Sequence, residues 1–349
     1  MVVYCVGCLL SMLMTGLALR VKHEKEGWRY KFAISFFASL PLMIIAALRY
    51  YVGQDYAAYV RVFNQAIEGY RQTGLEFTFY ELNRLIHAVG GDYSWLFGIC
   101  AFLFCMFVFL QIMEDSPYPT LSVFLLVTAG YYFAFFNTMR QFVGCAILLY
   151  SIRFVKKREL VRFGICVAFA SCFHLVCLLF IPVYFMYGKT ISRRVAIIIT
   201  VAVFLLATPL SRLILQIVSW TSYAHYLGGV FDTSKRGYTA LIIAVVQIIF
   251  ATIYYEKEDN DYSFYYNLQL IALWLIAFVG KVVLISRIRY MFSLSTVIFL
   301  PIVLSKVKRK SDRSIITVAM VILYSIYFYY TIGINNNYNV LPYQTLFSR

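Results

Sequence analysis

Residues 163–187 read FGICVAFASCFHLVCLLFIPVYFMY. The run holds no Lys, Arg, Asp or Glu and a single His, His174. Its apolar residues do not alternate with period two, so it is helical and not a barrel strand. As one helix its 25 residues would be about 37 Å long, whereas a membrane crossing takes ~20 residues. The run is therefore long for one crossing and short for two. Basic loops flank it on both sides: Arg153, Lys156, Lys157, Arg158 and Arg162 before, Lys189, Arg193 and Arg194 after. Short loops rich in Lys and Arg belong on the inner face of a membrane. Both flanks lie there only if the chain enters and turns back. The pattern predicts a broken, re-entrant pair with its turn near His174; one tilted helix kinked at Pro182 is the alternative. Irregular backbone at membrane depth is tolerated only against protein or a wet cavity, so a polar cavity is expected near His174.

The rest of the chain reads the same way. Of 349 residues, 62% are hydrophobic and 13% charged, against ~45–50% and ~25% in soluble domains. This composition excludes a cytosolic enzyme, a secreted domain and a disordered regulator. Further apolar runs fall at 2–19, 32–48, 93–113, 119–136, 141–155, 195–210, 239–255, 264–285, 291–304 and 314–332. The expected fold is an all-α polytopic membrane protein with about 11–12 transmembrane or re-entrant helices, forming one membrane domain over 1–349. The first run, with no basic stretch before it, reads as a retained span and not a cleaved leader. Basic loops at Arg20–Lys31 and Lys306–Arg313 join the inner face, which puts the N-terminus and two large loops, 49–92 and 211–238, outside. Within the first loop, Tyr56, Tyr59, Val60, Phe63 and Ile67 form one helical stripe, and Leu75, Phe79, Leu82, Ile86 and Val89 a second. Thr78 and Glu81 have capping-box spacing. These helices, and a third over 211–227 ended by Gly228 and Gly229, are expected to lie at the outer interface and roof a cavity. The eight cysteines all sit in apolar runs, where Cys acts as a small hydrophobe.

The net charge of +15 is no nucleic-acid footprint, because no soluble domain exists to carry a basic face. Most of it is the inner-face signal. On the external segments Arg outnumbers Lys, which fits recognition of branched anions by guanidinium forks, although depletion of Lys by topology gives the same bias. Lys31 to Arg49, Arg140 to Lys156 and Arg289 to Lys306 each span about 24–27 Å of helix. That is shorter than the hydrocarbon core, so Arg49, Arg140 and Arg289 are placed slightly below the outer headgroups, where ionisable groups usually face a wet cavity. Their surroundings are polar or aromatic. Arg49 opens a run with Gly53, Asp55, Tyr56 and Tyr59; Asn137 and Gln141 flank Arg140; Arg287 neighbours Arg289. Asp55 also suits a helix cap. His174 sits at the expected helix break.

The run R-x-x-x-G-x-D-Y-x-x-Y formed by Arg49, Gly53, Asp55, Tyr56 and Tyr59 resembles the hallmark of EpsG-type, Wzy-like polysaccharide polymerases. Asn137-x-x-Arg140-Gln141 resembles a second block of that family, and Phe173-His174 followed by Pro182 and Tyr184 a third. Ser286-Arg287-Ile288 and Leu341-Pro342-Tyr343 are similar to later blocks, in order over about 30–345. The resemblance implies a GT-C-like glycosyltransferase of the bacterial inner (cytoplasmic) membrane. Such an enzyme joins oligosaccharide repeat units carried on polyprenyl diphosphate, donor to acceptor, on the outer side. It implies membrane lipid, a flippase and a chain-length regulator as partners, with no nucleic acid. A glycan ligase and a lipid-linked oligosaccharide flippase are the alternatives. The expected site has His174 and Asp55 as candidate bases. Arg49, Arg140, Arg287 and Arg289, with Tyr59, Asn137 and Gln141, are expected to bind substrate. No cofactor and no metal are expected.

Overall fold

The computed structural model describes residues 1–20, 27–220, 238–282 and 285–348. The described residues form helices, turns and one isolated bridge between Arg49 and Thr345. This is the expected all-α polytopic membrane fold. Among them, five helices are long and apolar enough to cross a membrane, or up to seven if each of two bent pairs is one span. The runs at 119–136 and 291–304 are those bent pairs. The first breaks at Gly130, whose φ of +88° ends the helix. Contacts divide the chain into two compact units, Met1–Ile181 with Lys308–Arg349, and Pro182–Val307.

The first unit contains α1 (Val2–Arg20), α2 (Trp28–Ala47), α3 (Tyr56–Ile67), α4 (Phe77–Ala88), α5 (Tyr93–Asp115), α6 (Pro119–Thr128), α7 (Tyr131–Asn137), α8 (Met139–Lys156), α9 (Leu160–Phe173) and, after α10–α14 of the second unit, α15 (Lys310–Phe328). Helix α5 is the core, packed against α2 and α8, with Phe104 stacked on Phe135 at 4.4 Å. One end of this bundle is tied by ion pairs. Glu114 meets Lys31 at 2.7 Å and Arg153 at 3.0 Å, and Asp115 meets Lys156 at 2.8 Å. Partly buried pairs of this kind fix the register of three helices.

The expected break at His174 is present. Helix α9 stops at Phe173, His174 is extended (φ −155°, ψ 110°), and a 3-10 helix runs over Leu175–Phe185. A Cβ built on Gly144 of α8 would lie 3.4 Å from the Ala170 carbonyl oxygen and 2.6 Å from the Cys177 sulfur. Both flanks of the break thus pack beside one glycine of α8.

The amphipathic stripes are largely as read. Helix α3 buries Tyr56, Tyr59 and Phe63, with Ala66 in place of Ile67, and α4 buries Phe79 and Ile86. The capping box is not formed: Glu76 and not Thr78 precedes α4, the Thr78 hydroxyl donates to the Cys172 carbonyl, and Glu81 pairs with Arg84.

The second unit holds α10 (Arg193–Ser219), α11 (Tyr238–Ile253), α12 (Asn260–Ile276), α13 (Ile285–Ser293) and α14 (Thr296–Ser305). The run at 195–210 and the helix expected from 211 are one element: α10 continues through Pro209 to Ser219. The run at 264–285 is shorter than read, because α12 ends at Ile276 and Gly280 turns with φ +76°. Its polar ties are Lys306 to Asp259, Tyr187 to Asp261, and Asn267 to the Lys189 carbonyl. The rest of the 211–238 loop, with Tyr223, Tyr226, Gly228 and Gly229, lies outside the described residues.

Candidate active site

The chain leaves α2 at Leu48 and turns sharply through 49–55. Gly53 has φ +103°, and a Cβ there would meet the Asn137 Oδ1 at 2.9 Å and the Arg49 guanidinium at 3.4 Å, so glycine is needed. Arg49 has no exposed surface. Its Nη1 donates to the Phe136 carbonyl at 2.8 Å, and its guanidinium lies 4.4 Å from the Phe136 ring centre and 4.9 Å from that of Phe97. A buried cation is stable only when its donors are met; here a carbonyl in the last turn of α7 meets one of them. Asn137 completes the joint: its Oδ1 accepts from the Gln54 amide at 2.8 Å and its Nδ2 donates to the Tyr338 carbonyl. The C-terminal strap closes it. Gly53 N donates to Asn339 O and Tyr50 N to Gln344 O, both at 2.9 Å, and the Tyr343 hydroxyl donates to Ile45 O. Three blocks distant in sequence thus form one packed junction. Enclosed in it, Arg49 organises the turn and has no exposed surface.

Arg140 lies in the first turn of α8, where the helix dipole disfavours a cation. Glu76 answers it. One oxygen of the Glu76 carboxylate pairs with Arg140 Nη1; the other lies 3.1 Å from His174 Nδ1 and accepts from the Leu175 amide at 3.2 Å. Burial pushes the Glu76 carboxyl up, but the hydrogen bond from His174 and the charge of Arg140 outweigh it and hold it below the usual carboxylate range. An ionised carboxylate only accepts, so His174 Nδ1 carries the hydrogen, and in the neutral ring the lone pair is then on Nε2. His174 Nε2 is buried and has no hydrogen-bond partner among the described residues. Phe79 lies under the Arg140 guanidinium, 5.4 Å from ring centre to cation, and the Tyr59 hydroxyl accepts from the Arg140 amide at 3.4 Å. Side-chain exposure is 12% for His174, 13% for Glu76 and 24% for Arg140, so the cation is the most open of the three.

The structure brings Arg140, Tyr59, Asn137, Gln141 and His174 into one region of the first unit. Gln141 is buried in the first turn of α8. Asp55 takes the N-cap position of α3, half-buried, without its side chain bonding the first-turn amides. Arg287 and Arg289 lie half-buried on α13 of the second unit, Arg289 over the Tyr290 ring at 5.0 Å. Among the described residues no three His, Cys, Asp or Glu side chains converge as metal ligands would.

The sequence signature of the EpsG family matches residues 32–345. The chain belongs to the EpsG family. The matched span takes in α2 through the C-terminal strap, and hence the whole Arg140–Glu76–His174 cluster. EpsG membership indicates a polysaccharide polymerase-like, glycosyltransferase function and a multi-pass membrane protein. No curated protein and no solved structure matches the chain.

Glu76, the centre of the cluster, was not among the residues singled out from the sequence. Its one signal is positional: an acid immediately before an amphipathic helix. That position suggests a cap. Nothing local reveals that its partners lie 64 and 98 residues away.

Proposed function

We propose that this EpsG-family chain is a glycosyltransferase that polymerises polyprenyl-diphosphate-linked oligosaccharide repeat units. The reaction is placed on the outer side of the bacterial inner membrane, at the end of the first unit that carries Arg140. The observation that carries the proposal is the single carboxylate of Glu76 holding both His174 Nδ1 and Arg140, with His174 Nε2 left without a partner among the described residues. This is the arrangement of an oriented base beside a cation.

In the proposed reaction a hydroxyl of the acceptor repeat unit attacks the anomeric carbon of the donor glycan. His174 Nε2 accepts the hydroxyl proton. The bond from the anomeric carbon to the diphosphate oxygen breaks, and polyprenyl diphosphate leaves with the electron pair. Arg140 neutralises the charge that grows on the diphosphate, the part a divalent metal plays elsewhere. Glu76 keeps the imidazole in the tautomer that can accept. Arg49, Asn137 and Gln141 set the joint from which Arg140 projects. Asp55 remains a second candidate base at the start of α3. Arg287 and Arg289, on α13 of the second unit, remain candidates for binding an anionic substrate group. A flippase that delivers repeat units and a chain-length regulator are the expected partners.

Changing Arg140 to Ala should abolish polymer and leave single repeat units on the lipid, read as loss of the ladder on a gel of lipid-linked glycan. His174→Ala should slow polymerisation by about 10²–10⁴-fold, provided both variants elute as folded protein. Normal ladders from either variant would refute its assigned role.

A further inference from the structure

Tyr51 adopts φ +50°, a left-handed conformation costly for an aromatic residue. Burial does not compensate it, since the residue is 60% exposed. The backbone on each side is pinned: Tyr50 N to Gln344 O and Gly53 N to Asn339 O. The ring is braced edge-on by Tyr50, centroids 4.8 Å apart, and by the tilted ring of Tyr56 at 5.2 Å. An interfacial anchor needs neither the strain nor the bracing. The structure therefore holds one aromatic face out to solvent in a fixed place.

The turn and the strap beside that ring are amide-rich, and the nearest charge in the turn, Asp55, is half-buried at the start of α3. Gln54, Asn337 and Asn339 are exposed. Gln54 donates through Nε2 to the Asn337 carbonyl, which fixes its side chain and leaves Oε1 open. The side-chain amides of Asn337 and Asn339 have no hydrogen-bond partner among the described residues. Residues 329–347 contain no Lys, Arg, Asp or Glu. A patch of this kind is poorly matched to phosphate or to a cation. An apolar ring face beside donors and acceptors fits a ligand with C–H faces and a rim of hydroxyls. The same turn that exposes Tyr51 packs Gly53 on Asn137, three residues before Arg140. The patch thus joins the catalytic cluster through a rigid joint.

We propose that Tyr51, with Gln54, Asn337 and Asn339, forms a subsite for an uncharged sugar ring of the saccharide being extended. This inference rests on the polymerase reading, because it assigns the subsite to that reaction's glycan. The probe is the mixture of repeat-unit oligosaccharides released by mild acid from the host cell's own surface polysaccharide. Its binding to the full-length chain in detergent is followed by saturation-transfer NMR. Tyr51→Ala should weaken binding by about three- to tenfold, and Tyr51→Phe should keep it. Paired Asn337→Ala and Asn339→Ala changes should weaken it similarly. In cells, Tyr51→Ala should shorten the polymer while Tyr51→Phe does not. Unchanged binding in Tyr51→Ala would overturn the subsite, as would a lower melting temperature in that variant with no change in affinity. The two claims separate in Arg140→Ala: it should make no polymer yet bind the oligosaccharides as the wild type does. Normal polymer from Arg140→Ala with Tyr51-dependent binding would remove the Arg140 assignment and keep the sugar subsite.

Discussion

One carboxylate, Glu76, serves a guanidinium, an imidazole and a backbone amide. Each partner alone is a common surface arrangement of small worth; together, and mostly buried, they make Glu76 the residue on which the site depends. Its carboxyl titrates below the ordinary range in the folded protein. A group with a depressed folded pKa contributes stability above its unfolded value, ~4.3 for Glu, and that stability is lost as pH falls through the folded value. Thermal melts of the wild type in detergent should therefore drop steeply below about pH 4. Glu76→Gln should melt lower at neutral pH and show a shallower acid limb, so that the two curves converge. Parallel curves would mean that the ion pair adds nothing to folding. The sequence made Arg140 and His174 legible because depth in the membrane and a helix break mark them. Glu76 was not legible, because an acid in an outer loop is ordinary until its partners are placed.

The element that sets the site is the helix break at His174. It works because Gly144 lets α9 and the 3-10 helix approach α8 together. A methyl there meets the buried Cys177 sulfur, so Gly144→Ala should destabilise the protein by about 1–3 kcal/mol, as overpacking does. Adding Cys177→Ala removes that sulfur and should restore most of the loss, measured as a coupling between the two changes in melting temperature. Additive losses would show that the two residues do not meet. At this scale the sequence read well where composition decided: the break at His174, the stripe of α3 and most of the apolar runs. It read less well where a turn decided. Gly130 splits one run into α6 and α7, and Gly280 follows the early end of α12. In each case one backbone position, and not the average hydropathy around it, fixed the boundary. The capping box at Thr78 failed for a related reason: α4 starts behind Glu76, so Thr78 already lies inside its first turn.

Across the whole molecule the expected orientation rests on the basic loops, and the first unit gives it a clear geometric axis. Arg140 and Lys156 lie at opposite ends of α8, about 24 Å apart. Exposed positions near each end, Gln72 and Arg158, can carry a cysteine for labelling. With a membrane-impermeant thiol reagent on intact cells, Gln72→Cys should react and Arg158→Cys should react only after permeabilisation. The opposite pattern would put the site on the inner face. The C-terminal strap has a further consequence, in time. Gln54 finds its backbone acceptor on Asn337, 283 residues later in the chain. At about 5–20 residues per second of synthesis, the turn holding Arg49 waits from a quarter of a minute to a minute for its closing segment. Throughout that interval a cation destined for complete burial must be held without the strap that seals it. The cell thus inserts most of the bundle before this turn can be closed, and a stalled chain would be unable to close it.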